Sequence, residues 1–133
     1  ICDGIGFAAN TRSALITRGV AELLKLAEKL GADIKTIIGL SGMGDIVLTC
    51  CNNQSRNRKF GLLLAKGMTV EQAKMEIGQA IEALDNIESL YKLAVNYKVN
   101  MPIVAAIWKI LNQQLPVNQA IDFLLSNEPQ LEY

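Results

Sequence analysis

The segment Glu82–Tyr97, EALDNIESLYKLAVNY, sets Leu84, Ile87, Leu90, Tyr91 and Ala94 on one face at spacings of three and four. That is the period of an amphipathic α-helix with one covered side. The same period recurs upstream in Leu15, Ile16, Val20, Leu23, Leu24, Ala27 and Leu30, with Asn10 or Thr11 as the expected cap and Gly31 as the stop. Downstream, Pro102 and Pro116 stand where first-turn prolines belong, before the runs Ile103–Asn112 and Val117–Leu125.

The middle of the chain is punctuated in the same manner. Asp33 can cap a short helix through Ile38, and a Gly-Leu-Ser-Gly-Met-Gly break follows. Ser55 is a good N-cap for a helix to Lys66 that Gly67 ends, and Thr69-Val70-Glu71-Gln72 has the capping-box form for a helix to about Glu76. Asp45–Cys51 is ambiguous on pattern alone, and its helical surroundings assign it to helix. No segment sustains strand alternation. The reading is an all-α multi-helix domain of about seven helices.

Bulk properties narrow the function. The chain has 133 residues, is 50% hydrophobic and 20% charged, and carries no formal net charge. A polyanion partner such as nucleic acid is not expected, and no apolar run reaches the ~18–20 residues of a membrane span. The opening Ile1-Cys2-Asp3-Gly4 reads as the interior of a longer chain. The three cysteines read as small buried hydrophobes in a reducing compartment, and they match no zinc spacing. Histidine is absent, so chemistry falls to Lys, Asp, Thr or a cofactor, and no metal is expected. No Gly-x-Gly-x-x-Gly turn follows a strand, so the chain does not itself hold a Rossmann nucleotide site.

Two polar stretches interrupt this helical pattern. Asp45 and Thr49 follow Ser41-Gly42-Met43-Gly44 and share a helix face. Their plain reading is an N-cap and a buried hydroxyl. In Ser55-Arg56-Asn57-Arg58-Lys59, three cations occupy a first helical turn, against the helix dipole. They read either as solvated surface residues or as an anion site, where free backbone N–H groups, an Arg fork and an Asn amide converge on a phosphate. A short loop joins the two stretches, so they can line one cleft.

Gly4-Ile5-Gly6-Phe7-Ala8-Ala9-Asn10 and Ala14-Leu15-Ile16-Thr17-Arg18-Gly19 resemble the opening signature of NAD(P)-dependent glycerol-3-phosphate dehydrogenases. Ser41–Cys50 resembles that family's Gly-x-Gly-Asp-Leu-x-x-Thr-Cys block, and Ser55-Arg56-Asn57 follows at the expected distance. Ala80-Ile81-Glu82 resembles its Val-x-Glu motif, and Met101-Pro102-Ile103 its Met-Pro-Ile turn. The motifs run in order over most of the chain and match the bacterial form best.

The resemblance implies a helical domain of the 6-phosphogluconate-dehydrogenase C-terminal kind, spanning 1–133, for substrate binding and dimerisation. It would pack on an N-terminal Rossmann domain. It further implies interconversion of sn-glycerol 3-phosphate and dihydroxyacetone phosphate with NAD or NADP, in the cytoplasm, by a homodimer serving phospholipid synthesis. The family's catalytic lysine would lie upstream of Ile1. Asp45 and Thr49 would support catalysis. Asp45, Ser55, Arg56 and Asn57 would hold the substrate, and Arg56, Ala80 and Glu82 would approach the cofactor. Ala8, Ala9, Ala80 and Ala83 depart from the family pattern and bear on the cofactor side.

Two other readings compete. A different Rossmann-type hydroxy-acid dehydrogenase would not need the Ser55-Arg56-Asn57 clamp in this form. A non-enzymatic helical interaction module would leave the glycine-rich turns and the misplaced cations unexplained.

Overall fold

The computed structural model describes residues 1–126, so residues 127–133 of the expected domain lie outside the described residues. Eight α-helices follow in order: α1 Ala9–Lys29, α2 Ile34–Ile38, α3 Asp45–Cys51, α4 Arg56–Ala65, α5 Val70–Ile77, α6 Glu82–Asn96, α7 Pro102–Leu111 and α8 Val117–Ser126. A single 3-10 turn, Asp3–Ile5, precedes α1. No strand occurs among the described residues.

Most local signals act as expected. Asp33 accepts from the Lys35 N–H, Ser55 from that of Arg58, and Thr69 and Gln72 complete a reciprocal capping box. Gly31 and Gly67, at φ +71° and +93°, end α1 and α4.

Two expectations are corrected. The chain leaves Gly6 in a left-handed turn and enters α1 at Ala8, whose carbonyl accepts the Thr11 and Arg12 N–H groups. Neither Asn10 nor Thr11 is therefore the cap; the Asn10 side chain accepts only from its neighbour Thr11. The Gly-rich break is no loop either. Leu40–Gly44 forms a π-helical turn that runs directly into α3. Gly42 permits it, because a Cβ there would strike the Ile37 carbonyl.

Two clusters form the core. Phe60, Leu64, Ala73, Ile81, Ile110 and Ala120 join α4, α5, α7 and α8; Leu26, Ala94, Met101 and Val104 join α1, α6 and α7. Helix α7, PIVAAIWKIL, is apolar nearly all round and packs against α1, α6 and α8. Each large aliphatic side chain buried in this way contributes about 1.5–3 kcal/mol.

The first turn of α7 has no cap of its own. Glu22, buried in the middle of α1, supplies one: its carboxylate oxygens accept the Ile103 and Val104 N–H groups at 2.8 and 3.2 Å. A carboxylate at that end also complements the helix dipole. One turn earlier on α1, Arg18 donates to the Leu124 carbonyl in the last turn of α8 at 2.8 Å.

Candidate functional site

A cleft of about 280 Å³ opens where α3, α4 and α6 approach one another. Leu48 and Thr49 from α3 form one wall, and Asn52 and Gln54 from the connecting loop form the floor. Ser55, Arg56 and Asn57 at the start of α4 form the second wall, and Glu82 at the start of α6 stands at the rim. The sequence-expected Thr49, Ser55, Arg56, Asn57 and Glu82 thus meet in one place.

The α4 terminus is built to receive negative charge. The Ser55 hydroxyl and carbonyl take the Arg58 and Lys59 N–H groups. Those of Arg56 and Asn57 belong to the unmet donors that begin any α-helix. The Asn57 side-chain oxygen accepts the Ala83 N–H at 3.2 Å, which ties α4 to α6 and leaves the amide NH2 as a donor. The first turn of α4 itself contains no acid, while Arg56, Arg58 and Lys59 add positive charge at its positive dipole end. The nearest counter-charge to Arg56 is Glu82, with Nη2 and Oε1 3.9 Å apart and the side chains 43% and 75% exposed.

Arg58 departs from its sequence reading. It is no solvated surface cation: its side chain is only 15% exposed, and Nη1 lies 2.6 Å from Asp3 Oδ2 and 3.1 Å from the Cys50 carbonyl. Its Nε donates to Asn53 Oδ1 at 3.0 Å. Asp3 Oδ2 also meets Arg12 Nη1 at 2.5 Å. Burial pushes the Asp3 carboxyl up, but hydrogen bonds and charge from the two arginines outweigh it and hold it below its ordinary value. Sequence reasoning missed this triad, because its members lie nine and 55 residues apart with no periodic relation.

The remaining candidates stand apart. Asp45 is exposed in the first turn of α3 and is not among the cleft-lining residues; it is no N-cap, for Gly44 holds that position without a side-chain bond. Ala80 is exposed, also outside the lining, in the link between α5 and α6. The three cysteines are free but not buried as expected: Cys51 is exposed and the others half-buried, because α3 lies at the surface. Among the described residues no helix is long and apolar enough to cross a membrane, and no cluster of three metal-ligating groups occurs.

Comparison with known proteins is consistent along the chain. Residues 1–122 match the family model described as NAD-dependent glycerol-3-phosphate dehydrogenase C-terminus. A glycerol-3-phosphate dehydrogenase (NAD(P)+) of Blochmanniella floridana is 49% identical over 126 residues, covering 94% of this chain and 38% of that protein. The protein of the same name from Tolumonas auensis is 50% identical over 132 residues, 99% of this chain and 40% of its own length. A crystal structure of glycerol-3-phosphate dehydrogenase from Coxiella burnetii superposes with a TM-score of 0.92 at 43% identity, over 95% of this chain and 39% of that one. The chain therefore spans about two-fifths of the length of the relatives it matches.

Proposed function

The chain belongs to the C-terminal family of NAD-dependent glycerol-3-phosphate dehydrogenases, and from that premise we propose that it is the substrate-binding part of such an enzyme. The complete protein interconverts sn-glycerol 3-phosphate and dihydroxyacetone phosphate with NAD or NADP, in the cytoplasm, and serves phospholipid synthesis. The observation that carries the reading is the cleft at the start of α4, where Ser55, Arg56 and Asn57 combine a helix N-terminus, a guanidinium and an amide. This donor set suits a phosphate monoester.

Thr49, across the cleft from the clamp, supplies a hydroxyl for the substrate oxygens. Asp45, one turn earlier on α3, is exposed outside the cleft lining and is available to meet the family's lysine and the reacting carbon once the rest of the enzyme is present. Clamping the phosphate fixes the rest of a three-carbon substrate, and most of its rate contribution is positional.

NAD or NADP binds mainly to a preceding Rossmann domain, and the residues present fit one edge of it. Arg56 offers charge to the nucleotide phosphates and the Glu82 carboxylate can accept from hydroxyls, while Ala80, two residues before Glu82, is exposed outside the cleft lining. When bound, the cofactor supplies the hydride. The same helical domain is the surface through which the enzyme dimerises.

The test is reduction of dihydroxyacetone phosphate by the full-length protein with NADH and NADPH. Turnover that depends on the phosphate group, with dihydroxyacetone itself a poor substrate, is the expected result. Preference for a carboxylate-bearing hydroxy acid would overturn the reading.

A further inference from the structure

We propose that Asp3 and Arg58 are positioning residues for the cleft, forming a bridge that holds the loop between α3 and α4 in its ligand-ready shape. The inference rests on the phosphate reading above and adds to it two residues that do not line the cleft.

Apart from its ion pair with Asp3, each contact of Arg58 falls on or beside a lining residue. Its guanidinium holds the carbonyl of Cys50, next to Thr49. Its Nε holds the side chain of Asn53, between Asn52 and Gln54. Its backbone N–H is taken by the cap Ser55. One side chain, carried by the first turn of α4, thus fastens the end of α3 and the middle of the loop. Otherwise, among the described residues, the loop has only local bonds: the Asn52 N–H to the Leu48 carbonyl at 2.8 Å, the Gln54 N–H to Asn52 Oδ1 at 2.9 Å, and the turn from the Ser55 N–H to the Asn52 carbonyl.

Asp3 fixes the fastener. A guanidinium this enclosed needs a counter-charge, and losing it leaves an uncompensated cation that must move toward water. Asp3 is itself anchored, by Arg12 of α1 and by the seating of its turn on α4. That seating is close: a Cβ on Gly4 would strike Ala65, and one on Gly61 would come within 2.7 Å of the Ile1 nitrogen. The scaffold of α1 and α4 is therefore transmitted through Asp3 and Arg58 to the loop.

Arg12 supplies the comparison, because it shares the Asp3 carboxylate but makes no hydrogen bond to the loop. In the full-length protein, Asp3→Asn and Arg58→Gln should each raise KM for dihydroxyacetone phosphate by roughly tenfold, below the ~100-fold that a 1 Å misplacement costs. The double variant should be no worse than either alone, as members of one bridge are not additive. Arg12→Gln, which removes one anchor of Asp3 but no contact to the loop, should raise KM clearly less than Arg58→Gln does. Should Arg58→Gln not fold, Arg58→Lys keeps the charge, loses the fork and should still raise KM.

Amide hydrogen exchange across residues 52–57 reads the bridge without turnover. It should accelerate in Asp3→Asn and Arg58→Gln, and less in Arg12→Gln. Unchanged exchange in the first two, or an Arg12→Gln effect on KM equal to that of Arg58→Gln, would overturn the proposal. An inactive wild-type enzyme would count against the dehydrogenase reading alone, since exchange would still decide the bridge.

Discussion

Arg56 and Glu82 face each other at the rim of the cleft, guanidinium to carboxylate at 3.9 Å. The pair is exposed and at the limit of ion-pair distance, so it contributes about 0–1 kcal/mol. It does not remove the conflict between Arg56 and the α4 dipole. Glu82→Gln should cost under about 1 kcal/mol, mostly by losing a favourable acid from the first turn of α6. At low salt it should also lower KM for dihydroxyacetone phosphate, an effect that fades toward 1 M, where the Debye length is about 3 Å. Kinetics at both ionic strengths check this; an equal rise in KM at both would show that Glu82 holds Arg56 in its working position.

Glu22 predicts a pH dependence with a definite sign. Burial raises its carboxyl above the ordinary value, and the two N–H groups of α7 only partly counter that. A carboxyl whose folded pKa is raised gives stability that is complete below its unfolded pKa and is lost as pH rises through the folded one. The stability of wild type relative to Glu22→Gln should therefore be highest near pH 4 and fall toward neutrality. Denaturation at several pH values measures it. A relative stability that rises with pH would mean that the α7 terminus, not burial, governs the group. Glu22→Ala, which leaves two N–H groups unmet, should cost about 1–3 kcal/mol for each group orphaned in the interior.

Gly61 tests the seating of the first turn. In an open helix position Gly→Ala gains about 0.8–1.0 kcal/mol. Here the new Cβ would meet the Ile1 backbone nitrogen at 2.7 Å, so the turn carrying Asp3 must shift. Overpacking of this kind costs about 1–3 kcal/mol and should outweigh the propensity gain. Equilibrium denaturation of Gly61→Ala should show net destabilisation, and a stabilised variant would show that the turn yields freely.

What the sequence disclosed and what it concealed divide by range. Ser55, Thr69 and Asp33 bond within three residues, so their caps were legible. The period of Leu84, Ile87, Leu90, Tyr91 and Ala94 likewise gave α6 within a residue. The start of α1 was misplaced because Gly6, not the polar Asn10, sets where the chain turns. Glu22 reaches α7 across 81 residues and Arg58 reaches Asp3 across 55, and no local pattern encodes either bond. The clamp residues were legible because the conflict between cations and helix dipole is a local one. Asp45 lies outside the cleft lining on the helix that the π-helical turn leads into, and glycine content alone does not reveal that turn.

The central claim is that Arg56 is held at an unfavourable helix terminus for a phosphate. Steady-state kinetics of Arg56→Ala in the full-length enzyme, beside its thermal midpoint, tests this most directly. A hydrogen bond to a charged group is worth about 1.5–3 kcal/mol, so KM for dihydroxyacetone phosphate should rise roughly tenfold to a hundredfold. The thermal midpoint should hold or rise slightly as the dipole conflict is relieved. Normal substrate affinity with a clearly lowered midpoint would make Arg56 a structural partner of Glu82 and contradict the account.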